Sequence, residues 1–420
     1  MKDNKTFCIL PFVHVHLNTD GNIRPCCTSS LDESSLMGRV DSSTVEEIFN
    51  SEKMKQFRLD LLNGKSRPEI CSYCYDKEND NLESYRTGQN YAWEYYTDTI
   101  LEKMKPDGYL DPKIRSWDIR YSNLCNLKCR TCGDLYSTTW SKENAENGFA
   151  DYVEHKAYDG EDPFENQYEN VYTVYFAGGE PLIMPEHYQA LKKLIEHGTP
   201  KNIHLFYNSN MTKINYNKEY LPDYWTQFKD VRFGMSIDSF GSRANYIRHG
   251  AVKWKKIEEN IKQLKKYSEE NCNLTFEYSP TISVMNAYTI TDMHRYLYDN
   301  GLMMSINDIK LVNILQYPHF YSIKLLPVYL KEEIQDKIFK HIEWIKENGG
   351  NADVVREFMN LVEYLGIKDE FVGREEHEKL FIMQTQKLDA LRNESFPDIF
   401  PEYKDWWEEI TKNTIPVVNI

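Results

Sequence analysis

No run in this chain approaches the ~18 consecutive apolar residues that a membrane-spanning helix needs, so a transmembrane span is excluded by length alone. Broad positive charge is lacking too: 50 Lys and Arg stand against 65 Asp and Glu, a formal net charge of −15. Such a balance repels a phosphate backbone at long range and speaks against nucleic acid, leaving only a local basic groove as a route to a nucleotide substrate. The opening Met1-Lys2-Asp3-Asn4-Lys5 offers no apolar stretch of secretory-signal length, because the run from Phe7 to Val13 is broken by Cys8 and Pro11. A cytoplasmic, reducing setting is therefore expected. Internal repeats and low-complexity segments are also lacking.

What is present is a globular composition over 420 residues, 41% apolar and 14% aromatic, long enough for two or three domains. Nine cysteines accompany it. In a reducing setting they read as metal ligands or reactive thiols rather than disulfides, so their spacing is the main signal. Residues 1–90 hold five of the nine and little regular periodicity, apart from a helix start at Thr44-Val45-Glu46-Glu47 with capping-box spacing. A turn at Lys105–Gly108 and the pair Asp111-Pro112 place a boundary near residue 112. The expected division is a cysteine-rich module with connector over 1–112, an α/β domain over 113–326 and a helical extension over 327–420.

Within the α/β domain, strand-like runs alternate with amphipathic helices, the pattern of a parallel sheet. Strands are expected at Ile114–Tyr121, Tyr172–Ala177, Ile203–Tyr207, Val231–Ile237, Leu274–Val284 and Ile309–Leu315. Tyr188, Leu191 and Ile195 make one helical stripe, stopped at Gly198, and Trp254, Ile257, Ile261 and Leu264 make another. The acidic stretch Tyr158–Glu169 has neither period and reads as a surface insertion or lid. Beyond Pro327 the stripe Ile334, Ile338, Ile342, Ile345 announces helix, and the tail ends in Phe396, Phe400, Tyr403, Trp406 and Trp407, read mostly as packing.

The strongest motif is Cys125-Asn126-Leu127-Lys128-Cys129-Arg130-Thr131-Cys132, directly after an expected strand. Three thiolates so spaced can hold three irons of a cubane cluster and leave the fourth iron open to a cofactor. A zinc ion would want a fourth Cys or His, and none lies nearby in sequence. The second motif, Gly178-Gly179-Glu180-Pro181, follows the next strand and opens a helix, so it reaches the same carboxyl edge of the sheet. Two glycines let backbone approach closely, and Glu180 can accept from an ammonium.

These motifs, in this order and strand context, resemble the radical S-adenosylmethionine (SAM) superfamily, whose signature is Cys-x3-Cys-x-aromatic-Cys plus a GGEP turn after the second strand. The resemblance covers about residues 113–320. It implies a partial (β/α)6 barrel, a SAM-cleaving [4Fe–4S] cluster on Cys125, Cys129 and Cys132, and SAM bound against Gly178, Gly179, Glu180 and Pro181. Thr131 departs from the family, which has an aromatic residue there, lying over the cofactor. Asn210 after the third strand and Ser236 at the end of the fourth match family positions for ribose or carboxylate contacts; Arg248 is a candidate partner of the SAM carboxylate or of substrate.

Cys8, Gly21 and Cys26 form a Cys-x12-Gly-x4-Cys element, followed by the pair Cys71 and Cys74. This resembles SPASM and twitch auxiliary-cluster domains, which usually follow the barrel and here precede it. Four ligands, with Cys27 as a fifth candidate, fit the short twitch form with one auxiliary cluster, of the 4Fe–4S or 2Fe–2S type. A structural zinc is the alternative for these thiols. His14 and His16 share one strand face and are expected to be structural, and Cys272 to be a small buried hydrophobe.

The resemblance implies that SAM chelates the open iron and is cleaved by one electron to methionine and a 5'-deoxyadenosyl radical. That radical takes a hydrogen atom from substrate. No further catalytic residue is assigned beyond the cluster and SAM. An auxiliary cluster can accept the electron left on the substrate, or anchor it. Auxiliary domains of this type often accompany peptide or protein substrates, so oxidative peptide modification is the first expectation, with an electron donor such as flavodoxin or ferredoxin. A small metabolite or sugar nucleotide is the second. A reading of another class is a zinc-stapled, non-catalytic binding protein, colourless, with both cysteine groups structural.

Overall fold

Period-two patterning sets the sheet of this protein, whose computed structural model describes residues 4–79, 83–271, 273–366 and 371–412. Cys272 lies outside the described residues. The strands are β1 (His14–Leu17), β2 (Asn22–Arg24), β3 (Gly38–Arg39), β4 (Ser116–Ile119), β5 (Thr173–Phe176), β6 (His204–Ser209), the small hairpin β7 (Asn215–Tyr216) and β8 (Glu219–Tyr220), β9 (Asp230–Met235) and β10 (Leu274–Tyr278).

The chain divides into two compact units: residues 1–125, 134–208 and 215–232, and residues 126–133, 209–214 and 233–420. In the first, the strands lie in the order β9-β6-β5-β4-β1-β2-β3. β1, β4, β5 and β6 are parallel, in registers that align His16, Asp118, Tyr175 and Phe206 in one row and Leu17, Ile119, Phe176 and Tyr207 in the next. The N-terminal cysteine-rich segment thus adds its own strand directly to β4. In the second unit, Phe233–Met235 of β9 neighbours β10.

The apolar row of the first unit is covered by the helix Pro185–Glu196, where His187 meets Phe176 at 4.7 Å between ring centroids and donates or accepts at the Tyr207 hydroxyl, 3.0 Å away. Trp117 of β4 is covered by the acidic segment itself: Phe164 lies tilted against it at 4.5 Å and Tyr168 meets it edge to face at 5.3 Å. Burying such rings is worth roughly 1.5–3 kcal/mol each. Lys193 meanwhile pairs with Asp162 at 3.1 Å. The stretch expected as a surface insertion or lid is held to the first unit by these two rings, with Glu161, Glu165 and Glu169 exposed and Asp162 largely covered.

The second unit holds the other expected stripes. The helix Trp254–Glu270 buries Trp254, Ile257, Ile261 and Leu264, and the helix Val328–Glu347 buries Ile334, Ile338, Ile342 and Ile345. The strand expected at Ile309–Leu315 is reduced to isolated parallel bridges, Tyr278 with Ile309 and Ile282 with Ile314. Lys310 N–H reaches the Tyr278 carbonyl at 2.8 Å, and on the opposite edge Leu311 N–H donates to the Glu357 carboxylate at 2.8 Å. Among the described residues no helix is long and apolar enough to cross a membrane.

Candidate metal centres

In the first unit, the chain leaves β4 at Ile119 and runs through Arg120–Leu124 to Cys125. The end of β5 is fastened along that segment: Ala177 N–H donates to the Ile119 carbonyl at 3.2 Å, Gly179 N–H to Ser122 at 3.3 Å and Glu180 N–H to Leu124 at 2.8 Å. Glycine is required for this approach. Gly178 has φ of +113°, and a Cβ on Gly179 would fall 2.2 Å from the Leu124 carbonyl oxygen. Glu180 is buried, and its Oε1 accepts from the Leu182 N–H at 3.1 Å, capping the short turn Pro181–Ile183. Cys125 is itself buried, with its N–H and C=O both 3.3 Å from the Thr138 hydroxyl. In this arrangement the Gly-Gly turn fixes the backbone that delivers Cys125.

The second unit carries Asn126–Gly133. Lys128 and Arg130 N–H groups donate to the carbonyls of His249 and Ile247, each at 2.8 Å, and the Cys132 N–H donates to Cys129 C=O at 3.0 Å. Cys132 is exposed and Cys129 half-buried. Arg248 grips Asp238 with two bonds, Nε at 2.7 Å and Nη2 at 3.0 Å, and places Nη1 3.8 Å from the Cys129 sulfur. Burial pushes the Cys129 thiol up to about 12, against the pull of Arg248. Asn210 donates to the Asn126 side chain at 3.0 Å and accepts from Thr212, so it sets the residue that follows Cys125. Ser236 is half-buried at the end of β9, its N–H on the Ser209 carbonyl at 2.8 Å.

Sequence reasoning passed over Arg130. It is buried between Cys129 and Thr131, stacks 3.6 Å from the Tyr246 ring centroid and donates to Asp389 and Glu394 at 2.6 and 2.7 Å. Glu394 also holds His249 at 2.8 Å. Those carboxylates lie more than 250 positions away, 259 and 264, so no local pattern could reveal the pair. Removing one partner of a buried ion pair leaves the other uncompensated, at a cost of about 3–5 kcal/mol. Arg130→Ala is expected to lower stability by that order, read from urea unfolding, and an unchanged midpoint would show that the clamp is idle.

The N-terminal cysteines are gathered in the first unit. β1 and β2 form the hairpin that brings Cys26 back towards Cys8; its turn needs Gly21, at φ +81°, where an added Cβ would lie 2.5 Å from the Ala157 carbonyl oxygen. Cys71 and Cys74 sit one turn apart on the helix Pro68–Asn79, and so share a face. Cys8, Cys26, Cys71 and Cys74 line one cavity walled by Phe57, Ile70 and Tyr85. Burial pushes the Cys26 thiol to about 11; burial, then Cys26 and Cys74, pushes Cys71 to about 12. Thiols so placed stay protonated until a cationic centre displaces the protons, which suits an iron–sulfur ligand set of four. Among the described residues no group of three or more His, Cys, Asp or Glu side chains is closed around a single ion position. Cys27 does not line the cavity; burial and the neighbouring Asp118 carboxylate push its thiol up.

Comparison with known proteins now bears on this geometry. Residues 119–276 match the radical SAM superfamily, and residues 8–75 match SPASM, an iron–sulfur cluster-binding domain. Residues 119–276 thus form a radical SAM domain, which implies a [4Fe–4S] cluster with SAM, and residues 8–75 a SPASM-type domain, which implies an auxiliary iron–sulfur cluster. Among solved structures it is similar to native anSMEcpe with bound AdoMet, at a TM-score of 0.40 and 18% identity, covering 56% of this chain and 63% of that one. Native anSMEcpe with bound AdoMet and Kp18Cys peptide follows, at 0.39 and 19%, covering 56% and 62%. The chain thus spans less than two thirds of those chains. No curated protein matches it.

Proposed function

We propose that the protein is an oxidative modifier of a peptide or protein substrate, with Cys125, Cys129 and Cys132 as ligands of the SAM-cleaving cluster and Cys8, Cys26, Cys71 and Cys74 as ligands of the auxiliary one. The observation that carries this reading is the gathering of four thiols around one cavity in the SPASM-matched segment. A cluster with four protein ligands has no open iron and so serves electron transfer, which suits a net oxidation. When bound, the two groups supply the deoxyadenosyl radical and an exit for the remaining electron. SPASM-type domains accompany peptide and protein substrates in the families this chain resembles.

The chain's own residues position these groups. Gly178, Gly179, Glu180 and Pro181 fix the segment that delivers Cys125 and carry the SAM amino group; Asn210 sets Asn126; Ser236 is the contact for the ribose or carboxylate. Arg248, bound to Asp238 and beside the Cys129 sulfur, is a cation that favours the reduced cluster. The functional division is an auxiliary module over 1–112, a barrel over 113–326 and a helical extension over 327–420. A cytoplasmic donor such as flavodoxin or ferredoxin completes the electron supply.

The test is incubation of the reduced, SAM-loaded protein with a defined peptide pool, read by mass spectrometry. A SAM-dependent loss of about two mass units from particular members, rising with 5'-deoxyadenosine, is expected for a two-electron oxidation. Deoxyadenosine formation with no mass change in any member would overturn the peptide reading.

A further inference from the structure

The two faces of the first unit's sheet differ in kind. In register, Trp117, Ile119, Val174, Phe176 and Leu205 share one face and are all buried. The opposite face carries His16, Asp118, Tyr175 and, just past the end of β4, Arg120. Tyr175 and Asn208 are only half-buried although they sit on central strands, and Arg120 is half-buried beside them. Polar side chains at such positions cannot make a hydrophobic core, since each would have to leave water for an apolar neighbour. A polar, partly open face of this kind suits a ligand.

Its electrostatics are set by Asp118, His16, Arg120 and Arg24. Asp118 is fully buried, with Oδ2 3.0 Å from His16 Nδ1 and Oδ1 3.6 Å from Arg120 Nε. Burial alone would raise the Asp118 carboxyl, but His16 and Arg120 hold it well below the usual range. Burial keeps His16 neutral by lowering its pKa. Arg24 stands directly opposite His16 in register and donates to the carbonyls of Ser30, Leu31 and Asp32 at 2.6 to 3.0 Å, with no carboxylate on it. Asp118 thus pairs with Arg120, while Arg24 adds a second guanidinium beside His16 whose bonds go to uncharged acceptors, so these three charged groups sum to one positive charge.

Arg120 is the member free to use it. Its Nε is buried against Asp118, and its guanidinium lies 5.4 Å from the Tyr136 ring centroid, so the group is held from two sides. The side chain keeps 17% of its surface accessible. Its Nε, 3.6 Å from Asp118, makes no hydrogen bond, and among the described residues its terminal nitrogens make none either. A fixed planar fork with its outer edge open matches a carboxylate through two parallel bonds.

We infer that Arg120 is a specificity-determining residue that takes a carboxylate of the substrate. This rests on the reading of the protein as a peptide modifier and narrows it to peptides with an acidic side chain or free C-terminus at the bound segment.

The probes are N-acetyl-glutamate N-methylamide and its glutamine counterpart, titrated by NMR into the anaerobically reconstituted, SAM-loaded protein. The glutamate probe is expected to bind at least about tenfold tighter, the scale of a hydrogen bond to a charged group. Arg120→Gln is expected to bring the two probes within about twofold, and Arg120→Lys, which keeps charge but loses the fork, to fall between. Iron content and circular dichroism check that each variant is folded. Equal affinity of the wild-type protein for the two probes overturns the inference outright, whether or not a variant folds. So does a glutamate preference that survives Arg120→Gln, including the case in which that variant weakens SAM instead, because Arg120 would then serve the carboxylate of SAM. Wild-type deoxyadenosine formation, measured alongside, reports on the peptide-modifying radical reading and not on Arg120, so the two failures are distinguishable.

Discussion

Gly179→Val is expected to strip about four irons from the anaerobically reconstituted protein while the auxiliary cluster stays. A Cβ at this position would lie 2.2 Å from the Leu124 oxygen, 2.7 Å from the Leu124 carbonyl carbon and 2.9 Å from the Asn123 carbonyl carbon. All three are backbone atoms, so no side chain can swing away. The segment from Asn123 to Leu124 must move, and Glu180 N–H loses its 2.8 Å bond to Leu124. The overpacking itself costs roughly 1–3 kcal/mol, which the fold can bear; the displacement of Cys125, the next residue, is what the cluster cannot. Gly133→Ala is the control: it neighbours Cys132, yet nothing lies within 4 Å of its Cβ position. It is expected to keep its full iron. Iron and sulfide per chain read both variants, and a Gly179→Val protein with wild-type iron would show that the turn does not position Cys125.

Cys125→Ala is expected to abolish 5'-deoxyadenosine formation and to remove the same four or so irons, with the chain still folded and still coloured by the auxiliary cluster. Cys74→Ala should remove the auxiliary irons instead, since Cys74 shares its cavity with Cys8, Cys26 and Cys71. The two losses are separable because the cysteine sets rest on different supports: Cys125 on Thr138 and on the β5 turn, Cys71 and Cys74 on their own helix. Unfolding of Cys125→Ala, measured by circular dichroism, would instead mark that thiol as structural.

The chemistry-bearing motifs were legible because each is local. Gly178 and Gly179 do sit at the strand edge beside the Cys125 segment, and Cys8, Gly21 and Cys26 do form a hairpin whose glycine cannot be replaced. The helical stripes at Trp254–Leu264 and Ile334–Ile345 bury the residues their period marks. What stayed hidden is long-range. β1 joins β4 as a parallel neighbour about a hundred positions downstream, which makes His16 and Asp118 a pair and gives the N-terminal histidines their partners, Ser116 for His14 at 2.8 Å and Asp118 for His16. The Arg130 clamp closes onto Asp389 and Glu394 near the other end of the chain. In the Tyr158–Glu169 stretch the acids were the visible signal, whereas Phe164 and Tyr168 pack it against Trp117. The expected sixth strand pairs only through isolated bridges at Ile309 and Ile314, and its outer edge meets Glu357 from a distant helix, a contact that residues 309–315 do not encode.

The most direct measurement is iron, sulfide and zinc content of the anaerobically reconstituted wild-type protein, taken with a deoxyadenosine assay using SAM and dithionite. About eight irons, or about six with a two-iron auxiliary cluster, together with deoxyadenosine are expected. Zinc in place of iron, with no deoxyadenosine, would contradict the assignment of both cysteine sets.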